Sequence, residues 1–557
     1  MKTNRSSELK RVCEALFAQY DNCVRADVEQ MQRLLSPRAA AKGKLSERSL
    51  SYTHSPIARK ACDVLVSAHS TYITPSGQKW FNIRSRDRTK TPWKAKDSVA
   101  QWFSKTTEIM SNELSESNFY TVIQEVYTDR CQVGTGAAFI GGTDTEPLYF
   151  IHVPMGTFAI AENNRQRVDT LVRRFSFTAQ QAVEEWGVEN LPEKVLVDLQ
   201  DPARRYTQRR TYLHLVRPRI KARKGIQDIP ESLREYEGFY MDEDSYSVIK
   251  EEGYFEFPYL VTRFIRGNDS PYGEPPGLPV APTIQQLMKL ERLMDAVGEK
   301  AAYPPIVQLA SQNQQVDMRA GAITTVDLQA AQLGYPRELG SQSRYDVGLE
   351  RIKDKQEIVR GAYHVDMLNA ISMIERQMTA TEINAREAEK VLAFSPSFTQ
   401  FIGDMQQAMR RIMSILFRQN KLPKDGVPAE LFTLSPDGLP MMLNPNVSYM
   451  GKIAQAVERV QQRGTNQVVE AAILFDQGVG SRVMTKMFKP REIMRGWIEA
   501  NGAPCDIMLD DSEWEDLMRK EQFTAEQQQE AISQQQTMET MATGAKAAQN
   551  LSTVQRR

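Results

Sequence analysis

The sequence predicts an α+β protein that is mainly α-helical, and three observations support this fold class. Its 557 residues are 41 % hydrophobic and 25 % charged, which is the composition of a folded globular protein. Through most of the chain, apolar residues recur every three to four positions, as they do along amphipathic helices. Between about residues 133 and 270 the period shortens, and glycine and proline separate stretches typical of strands.

The first 132 residues are predicted to be helical. One amphipathic helix runs from Ser7 to Leu35 and ends at Ser36-Pro37. A second begins after the expected N-cap Ser55, with Pro56 in its first turn, and ends at about Thr71. A third helix extends from Ser98 to about Gln132.

The β-rich unit at about 133–270 contains one predicted helix. This helix begins after the cap residue Thr178 and stops at Gly187. The segment RGNDSPYGEPPGLPVAP that follows is dense in proline and glycine, so we expect an irregular, stiff turn. It leads into a helix at TIQQLMKLERLMDAVGEKAA.

The rest of the chain is predicted to be mostly helical. An extended insert from about Tyr303 to Gly340 separates the helix above from a charged helix at about Arg344 to Gly361, so that the three parts form a hairpin. A loop or broken helix at AYHVDMLNAISMI precedes the helix RQMTATEINAREAEKVLAF, and a further helix is expected from Ser397 to Asn420. Helices are also expected at about 448–475 and 512–540. The final Gln- and Ala-rich segment buries too little apolar area to fold alone.

The charge balance limits the classes of function. Lysine plus arginine and aspartate plus glutamate each number 70, so the net charge is zero. A protein that grips duplex DNA tightly carries a basic surface, which argues against a repressor. A conduit through which DNA slides lacks such a surface, because strongly basic walls would bind the phosphates. Zero net charge fits a conduit and most cytosolic proteins equally well.

No motif predicts a catalytic residue, a cofactor site or a metal site. The stretch QVGTGAAFIGG lacks the lysine of GxxxxGK[ST] and the third glycine of GxGxxG, so Gly134 and Gly136 are interpreted as a turn before a strand. Cys62 and His69 have no third group to complete a triad. The chain has no CxxC pair and no HExxH pair among its five cysteines and five histidines: Cys13, Cys23, Cys62, Cys131, Cys505, His54, His69, His152, His214 and His364.

Membrane insertion is not expected either. The sequence has no run approaching the roughly 20 apolar residues of a membrane helix, and its start lacks the apolar core of a signal peptide. We therefore expect folding in the cytoplasm without a membrane partner.

The predicted helix at 344–361 carries a polar stripe with two interpretations. In isolation the stripe is a solvent-exposed face with weak pairs such as Lys353 with Glu357. In a ring of identical subunits each of its charges is repeated once per subunit, so a single residue becomes a ring of charge. The stripe consists of Arg351, Lys353, Asp354, Lys355, Glu357 and Arg360.

Two segments resemble a known family. The first is SPYGEPPGLPVAPTIQQLMKLERLM from Ser270, with its Pro-Tyr-Gly turn before a long helix, and the second is QMTATEINAREAEK from Gln377. Together with FIGG and FIHVPMGTFAIAEN, they resemble the portal, or head-to-tail connecting, proteins of short-tailed bacteriophages of the podovirus type. The resemblance extends to about residue 510. It implies a ring of identical subunits, usually about twelve, at one vertex of the capsid.

The resemblance also implies regions of a portal fold with wing, stem, clip and crown. The wing would be 1–270, the first stem helix 271–300, the clip 301–343, the second stem helix 344–361, the tunnel loop 362–376, the wing helix and crown 377–510, and a C-terminal helical barrel 511–557. Gly273 is expected to permit backbone angles that would strain a larger residue. The residues of the turn into the stem would be Pro271, Tyr272, Gly273 and Gly277. The candidate channel-lining residues are Arg351, Lys353, Lys355, Arg360, His364, Asp366 and Met367.

The resemblance implies no catalysis and no cofactor. Double-stranded DNA would pass through the channel without sequence preference, with weak contacts to its backbone. The implied protein partners are the terminase large subunit, the major capsid and scaffolding proteins and a tail adaptor, with assembly in the host cytoplasm. Two alternatives stay open: a phage DNA-processing enzyme, and a helical scaffold or tail-adaptor protein without a DNA channel.

Overall fold

A computed structural model of the chain describes residues 2–36, 55–84, 97–223, 229–267, 270–303, 345–366 and 380–424. It also describes the short segments 306–309, 322–326, 337–338, 431–434, 440–442, 446–449 and 516–520, and a few isolated residues. The chain divides into two compact units, 1–457 and 458–557, and nearly all described residues belong to the first. Of the second, residues 516–520 are helical.

Among the described residues up to Val133 there are five helices and one strand. They are α1 (Lys2–Cys23), α2 (Arg25–Leu35), α3 (Ile57–Tyr72), β1 (Phe81–Arg84), α4 (Asp97–Glu116) and α5 (Phe119–Val133). The prediction of one helix from Ser98 to Gln132 was wrong. The side-chain amide of Asn118 donates to the carbonyl of Phe150 at 2.7 Å and accepts from its N–H at 2.8 Å, which fixes the chain between α4 and α5.

The predicted β-rich unit is confirmed. It contains β2 (Thr135–Gly141), β3 (Tyr149–Val153), β4 (Phe158–Glu162), β5 (Val168–Thr178), α6 (Ala179–Trp186), α7 (Glu193–Gln200), α8 (Arg204–Thr207), β6 (Arg209–Pro218), β7 (Tyr236–Asp242), β8 (Val248–Tyr254) and β9 (Tyr259–Arg263). Strands β4 to β8 form an antiparallel sheet in chain order, and β3-β2-β9 form a second antiparallel sheet.

Local signals begin and end several of these helices as predicted. Thr178 and Gln181 form a capping box at the start of α6, and Gly187, with φ of 76°, follows its end. Gly134 ends α5 in the left-handed region, with φ of 86°, directly before β2. The predicted cap Ser55 does not cap α3: its hydroxyl donates instead to Glu291 Oε1 at 2.9 Å.

The segment after β9 is more regular than predicted. Strand β10 (Ile265–Arg266) pairs with β11 (Gly273–Glu274), and helix α9 (Ala281–Ala302) follows. The insert contains β12 (Ile306–Leu309), β13 (Ile323–Val326) and β14 (Arg337–Glu338), in which β12 pairs parallel with β13 and antiparallel with β14. Helix α10 (Tyr345–Ala362) returns from the insert, as predicted.

The prediction of one helix ending at Phe394 and another beginning at Ser397 was wrong, because one helix, α11 (Ala380–Arg418), runs through both positions and through Pro396 between them. Proline in a helix interior costs about 3 kcal/mol. The turns from Phe401 onward are held in the core by Phe401, Met405, Met409 and Ile412. Packing of these buried side chains therefore outweighs the local signal.

Short strands follow α11. They are β15 (Phe432–Leu434), β16 (Pro440–Met442) and β17 (Asn446–Tyr449), which pairs with β1. Strand β17 occupies the start of the helix predicted at about 448–475, so that boundary was wrong. Most of the remainder of that helix lies outside the described residues. In the described part of the chain, no helix is both long and apolar enough to cross a membrane.

Candidate functional site

Helices α9 and α10 form an antiparallel hairpin, as the sequence predicts. Lys355 Nζ donates to Gln286 Oε1 at 2.7 Å, and Gln356 Nε2 donates to Glu291 Oε1 at 3.3 Å. Nearer the insert, Gly348 lies so close to the side chain of Met294 that a Cβ atom at this position would clash with its sulfur. The two helices therefore pack along most of their shared length.

The base of the hairpin is fastened to the body of the first unit. Glu291 accepts from the buried Ser55, which directly precedes α3. The side chains of Ile352 and Val359 on α10, and of Tyr363 directly after it, are buried. These contacts hold the hairpin through both of its helices.

The predicted turn into the stem is part of the core. Tyr272 is buried, and its hydroxyl accepts from the N–H of Ile160 in β4 at 3.0 Å. Its ring meets the ring of Tyr20 from α1 edge-on, with centroids 5.6 Å apart. Burial raises the pKa of Tyr272, so this phenol stays protonated. The turn thus joins α1, β4 and the start of α9.

Glycine is required at 273 for a different reason from the one predicted. Its φ is not in the left-handed region, so unusual backbone angles do not explain the residue. The carbonyl oxygen of Gly134 occupies the position where a Cβ atom would be placed. The Gly273 N–H also donates to Thr135 Oγ1 at 2.8 Å. Close approach of two backbone segments is the reason for glycine here.

Gly277 connects the turn to the end of α10. A Cβ atom at this position would overlap the hydroxyl of Tyr363 and approach the methyl of Met31 to 2.5 Å. The buried Tyr363 hydroxyl has no hydrogen-bond partner among the described residues. The start of the first hairpin helix therefore touches the end of the second.

Sequence reasoning missed Arg263, which organises this region. The residue is 5 % exposed, and its guanidinium pairs with Glu162 and donates to the carbonyl oxygens of Gln166 at 3.2 Å and Pro271 at 3.3 Å. Its backbone N–H donates to Asp404 Oδ2 of α11 at 3.3 Å. Because Glu162, Gln166 and Asp404 are distant in sequence, no local pattern marks Arg263.

Arg263 and Asp404 line a cavity of about 180 Å³ together with Arg167 and Gln407. Burial raises the pKa of Asp404 to about 6, although Arg263 and Arg130 act in the opposite direction. The carboxyl of Asp404 therefore changes its charge near neutral pH.

The residues predicted for the tunnel loop begin directly after α10. His364 is half-buried and has φ of 56°, a left-handed conformation that few residues other than glycine adopt. Its N–H donates to the carbonyl oxygen of Gly361 at 3.0 Å, and burial lowers the pKa of its imidazole. Asp366 is exposed, and Met367 lies outside the described residues.

The basic candidates on α10 do not share one face. Successive helix residues are separated by about 100° around the axis. Lys353 and Arg360 therefore lie on one flank, whereas Arg351 lies on the opposite flank. All three are exposed, while Lys355 is directed to α9. Among the described ion pairs none joins Lys353 to Glu357.

The described residues also show how the other candidate groups are used. His69 is buried, where it receives a hydrogen bond from Arg130 at 2.8 Å, and burial lowers its pKa to about 3. A Cβ atom at Gly136 would clash with the carbonyl oxygen of Val126, so this glycine serves close packing of β2 on α5. Within the part of the chain that the structure describes, no three His, Cys, Asp or Glu side chains are arranged to hold a metal ion.

Comparison with known proteins gives the same family as the sequence motifs. Residues 8–509 match the family described as bacteriophage head to tail connecting protein. The chain is 25 % identical over 421 residues to the portal protein of Salmonella phage epsilon15, which covers 74 % of this chain and 72 % of that protein. It is 25 % identical over 346 residues to the probable portal protein of Bordetella phage BPP-1, which covers 60 % of each chain. The chain therefore belongs to the bacteriophage head to tail connecting protein family, and it is a structural connector of the capsid vertex rather than an enzyme.

Proposed function

We propose that this connector is the portal of its phage, a closed ring of about twelve identical subunits through which double-stranded DNA enters and leaves the capsid. The observation that carries the proposal is the antiparallel hairpin of α9 and α10, fastened at its base. Helix α9 carries three basic and three acidic residues, and α10 carries four of each. A wall built from such hairpins has no net charge, so it lets DNA slide rather than trapping its phosphates.

The proposed regions have the boundaries that the family resemblance implies. Residues 1–270 form the wing, 271–300 and 344–361 the stem helices, 301–343 the clip, 362–376 the tunnel loop, 377–510 the wing helix and crown, and 511–557 a C-terminal barrel. The clip is supported by the small sheet of β12, β13 and β14 between the two hairpin helices. The tunnel loop is supported by the backbone of His364, where the helical path of α10 ends.

The geometry narrows the set of side chains that face the DNA. One flank of α10 carries Lys353 and Arg360, and the opposite flank carries Arg351, so both cannot face the channel together. We assign the flank of Lys353 and Arg360 to the channel wall, because these two bases can make weak contacts with phosphates while the carboxylates of the same hairpin keep the stem neutral overall. His364, Asp366 and Met367 then line its narrowest part. Lys355 is a structural residue between the two helices.

The partners are assigned to separate parts of the molecule. The clip meets the terminase large subunit during packaging and the tail adaptor afterwards. Its support is the pair of large apolar side chains at this end of the hairpin, Tyr303 and Ile323, which are exposed in the single chain. The wing meets the major capsid and scaffolding proteins while the particle is assembled in the host cytoplasm.

The test is the mass of the purified chain in solution, with negative-stain images of the same sample. A single species near twelve subunits with a stain-filled centre supports the proposal. A stable monomer or dimer contradicts it, and the same sample is then assayed for metal-dependent nuclease activity. A closed assembly without a central opening favours the scaffold or adaptor alternative.

A further inference from the structure

The face of α10 that points away from α9 is acidic. Contacts with α9 are made by Gly348, Lys355 and Gln356. At about 100° per residue, the opposite side carries a row of four carboxylates and no basic residue. All four are exposed. The row is Asp346, Glu350, Asp354 and Glu357.

The face of α9 that points away from α10 is mainly basic. Contacts with α10 are made by Gln286, Glu291 and Met294. The opposite side carries three basic residues, Lys289 and Arg292, both exposed, and Lys300. Two exposed carboxylates, Asp295 and Glu299, lie on the other side of Arg292. The two outward faces of one hairpin therefore have opposite signs.

Five of these charges have no ion-pair partner in the part of the chain that the structure describes. Lys289, Arg292, Glu350, Asp354 and Glu357 make no ion pair with any other residue that the structure describes. Large apolar side chains border the two faces and are also exposed: Leu293 at 61 % on α9 and Ile358 at 52 % on α10. Exposed apolar residues beside unpaired charges are typical of a surface that another chain covers.

We infer that the basic face of α9 in one subunit binds the acidic face of α10 in the next subunit, and that this contact holds the stem of the ring together. The inference rests on the proposed ring. In a closed ring every interface is head-to-tail, so two different faces of the same chain must be complementary. The hairpin provides such a pair, and the occupant of each face is a second copy of this chain.

The contact also agrees with the channel assignment. With the acidic face of α10 against a neighbour, its two flanks are left to face the channel and the outside of the stem. Lys353 and Arg360 lie on one of these flanks and Arg351 on the other. The acidic row is therefore not required to face the DNA.

Charge reversal tests the contact directly. The first variant carries Lys289→Glu and Arg292→Glu, which makes both outward faces acidic. The second carries Glu350→Lys, Asp354→Lys and Glu357→Lys, which makes both faces basic. Each variant alone is expected to need a subunit concentration at least about tenfold higher than the unmodified chain for ring formation. Mixed in equal amounts, the two variants are expected to form rings of alternating subunits at the unmodified concentration.

The matched control carries Arg351→Glu, which reverses an exposed charge on the flank of the same helix that lies opposite Lys353 and Arg360. It is expected to assemble as the unmodified chain does. The readout is the mass of the assembly against protein concentration, at low and high salt. Weaker assembly of the unmodified chain at high salt agrees with the inference.

The outcomes separate the inference from the proposed function. If each variant forms rings as readily as the unmodified chain, or if the mixture assembles no better than either variant, the inference is overturned and the portal assignment remains. If the unmodified chain itself forms no ring, the proposed function fails, whatever the variants do.

Discussion

A single methyl group at residue 273 is expected to destabilise the turn into the stem. The change is Gly273→Ala. The added Cβ atom would be placed on the carbonyl oxygen of Gly134 and 3.0 Å from both the Cβ of Arg263 and the N atom of Phe264. Two of these neighbours are backbone atoms, which cannot turn aside as the end of a flexible side chain can. One of the two backbone segments must therefore move.

The expected loss has two parts. Forcing extra volume into a packed region costs about 1–3 kcal/mol. Movement of residue 273 also weakens the hydrogen bond from its N–H to Thr135, 2.8 Å long, which is worth about 1 kcal/mol. The sum is about 2–4 kcal/mol. At roughly 2 °C per kcal/mol for a large domain, the midpoint of thermal unfolding falls by about 4–8 °C.

The chain offers a matched control in the adjoining helix. Gly298 of α9 has nothing within 4 Å of a Cβ atom, so Gly298→Ala adds the same methyl group to open space. Alanine is favoured over glycine in a helix by about 1 kcal/mol, and this variant should unfold at or above the unmodified temperature. The assay is scanning fluorimetry on both variants. Equal melting temperatures for Gly273→Ala and the unmodified chain would refute the reasoning.

Four further substitutions test buried hydroxyl and carboxyl groups through thermal, pH-dependent or denaturant unfolding. Tyr272→Phe removes the acceptor of the Ile160 N–H and should cost about 1–3 kcal/mol of stability. Tyr363→Phe removes a buried hydroxyl with no described partner and should be neutral or stabilising. Thermal unfolding of both variants tests this, and a larger loss for the Tyr363 variant would contradict the hydrogen-bond assignment. The raised pKa of Asp404, about 6, means that its protonated form favours folding; this contribution is full below the unfolded pKa of 3.8 and is lost as the pH rises through 6. Asp404→Asn should therefore stabilise the chain more at pH 8 than at pH 4.5. Equal effects at the two pH values would count against a protonated Asp404. Glu256 is buried, which raises its pKa, but Arg418 and Arg411 outweigh burial and lower it overall; its stabilising effect is therefore present above pH 4.5 and lost in acid. Glu256→Gln should cost about 3–5 kcal/mol at pH 7, measured by denaturant unfolding, because Arg411 and Arg418 lose their carboxylate, and an unchanged midpoint would exclude this role.

Local signals in the sequence predicted much of the fold, and long-range contacts explain the errors. Thr178 and Gly187 mark the ends of α6 through interactions within a few residues, so their pattern is readable. The interruption before α5 depends on Asn118 meeting a strand 32 residues away, and Ser55 finds its partner 236 residues later. No local pattern encodes such pairings.

In the candidate site, too, the features that depend on local sequence were predicted, and those that depend on long-range contacts were not. The hairpin and its turn were predicted, because the helical period and the Pro-Tyr-Gly motif are local. The reason for Gly273 was predicted wrongly, since only the fold places the Gly134 carbonyl beside it. Which charges of α10 face outward depends on the side of the helix on which α9 packs, and this side is not encoded in a local sequence pattern. Arg263 was missed for the same reason.

The most direct test of the portal assignment is a cryo-electron microscopy map of the purified assembly at a resolution that shows helices. We predict a closed ring whose central channel is lined by one helix per subunit, α10, with Lys353 and Arg360 toward the opening. A ring with α9 and α10 on its outer surface, or an assembly without a channel wide enough for duplex DNA, would contradict the account.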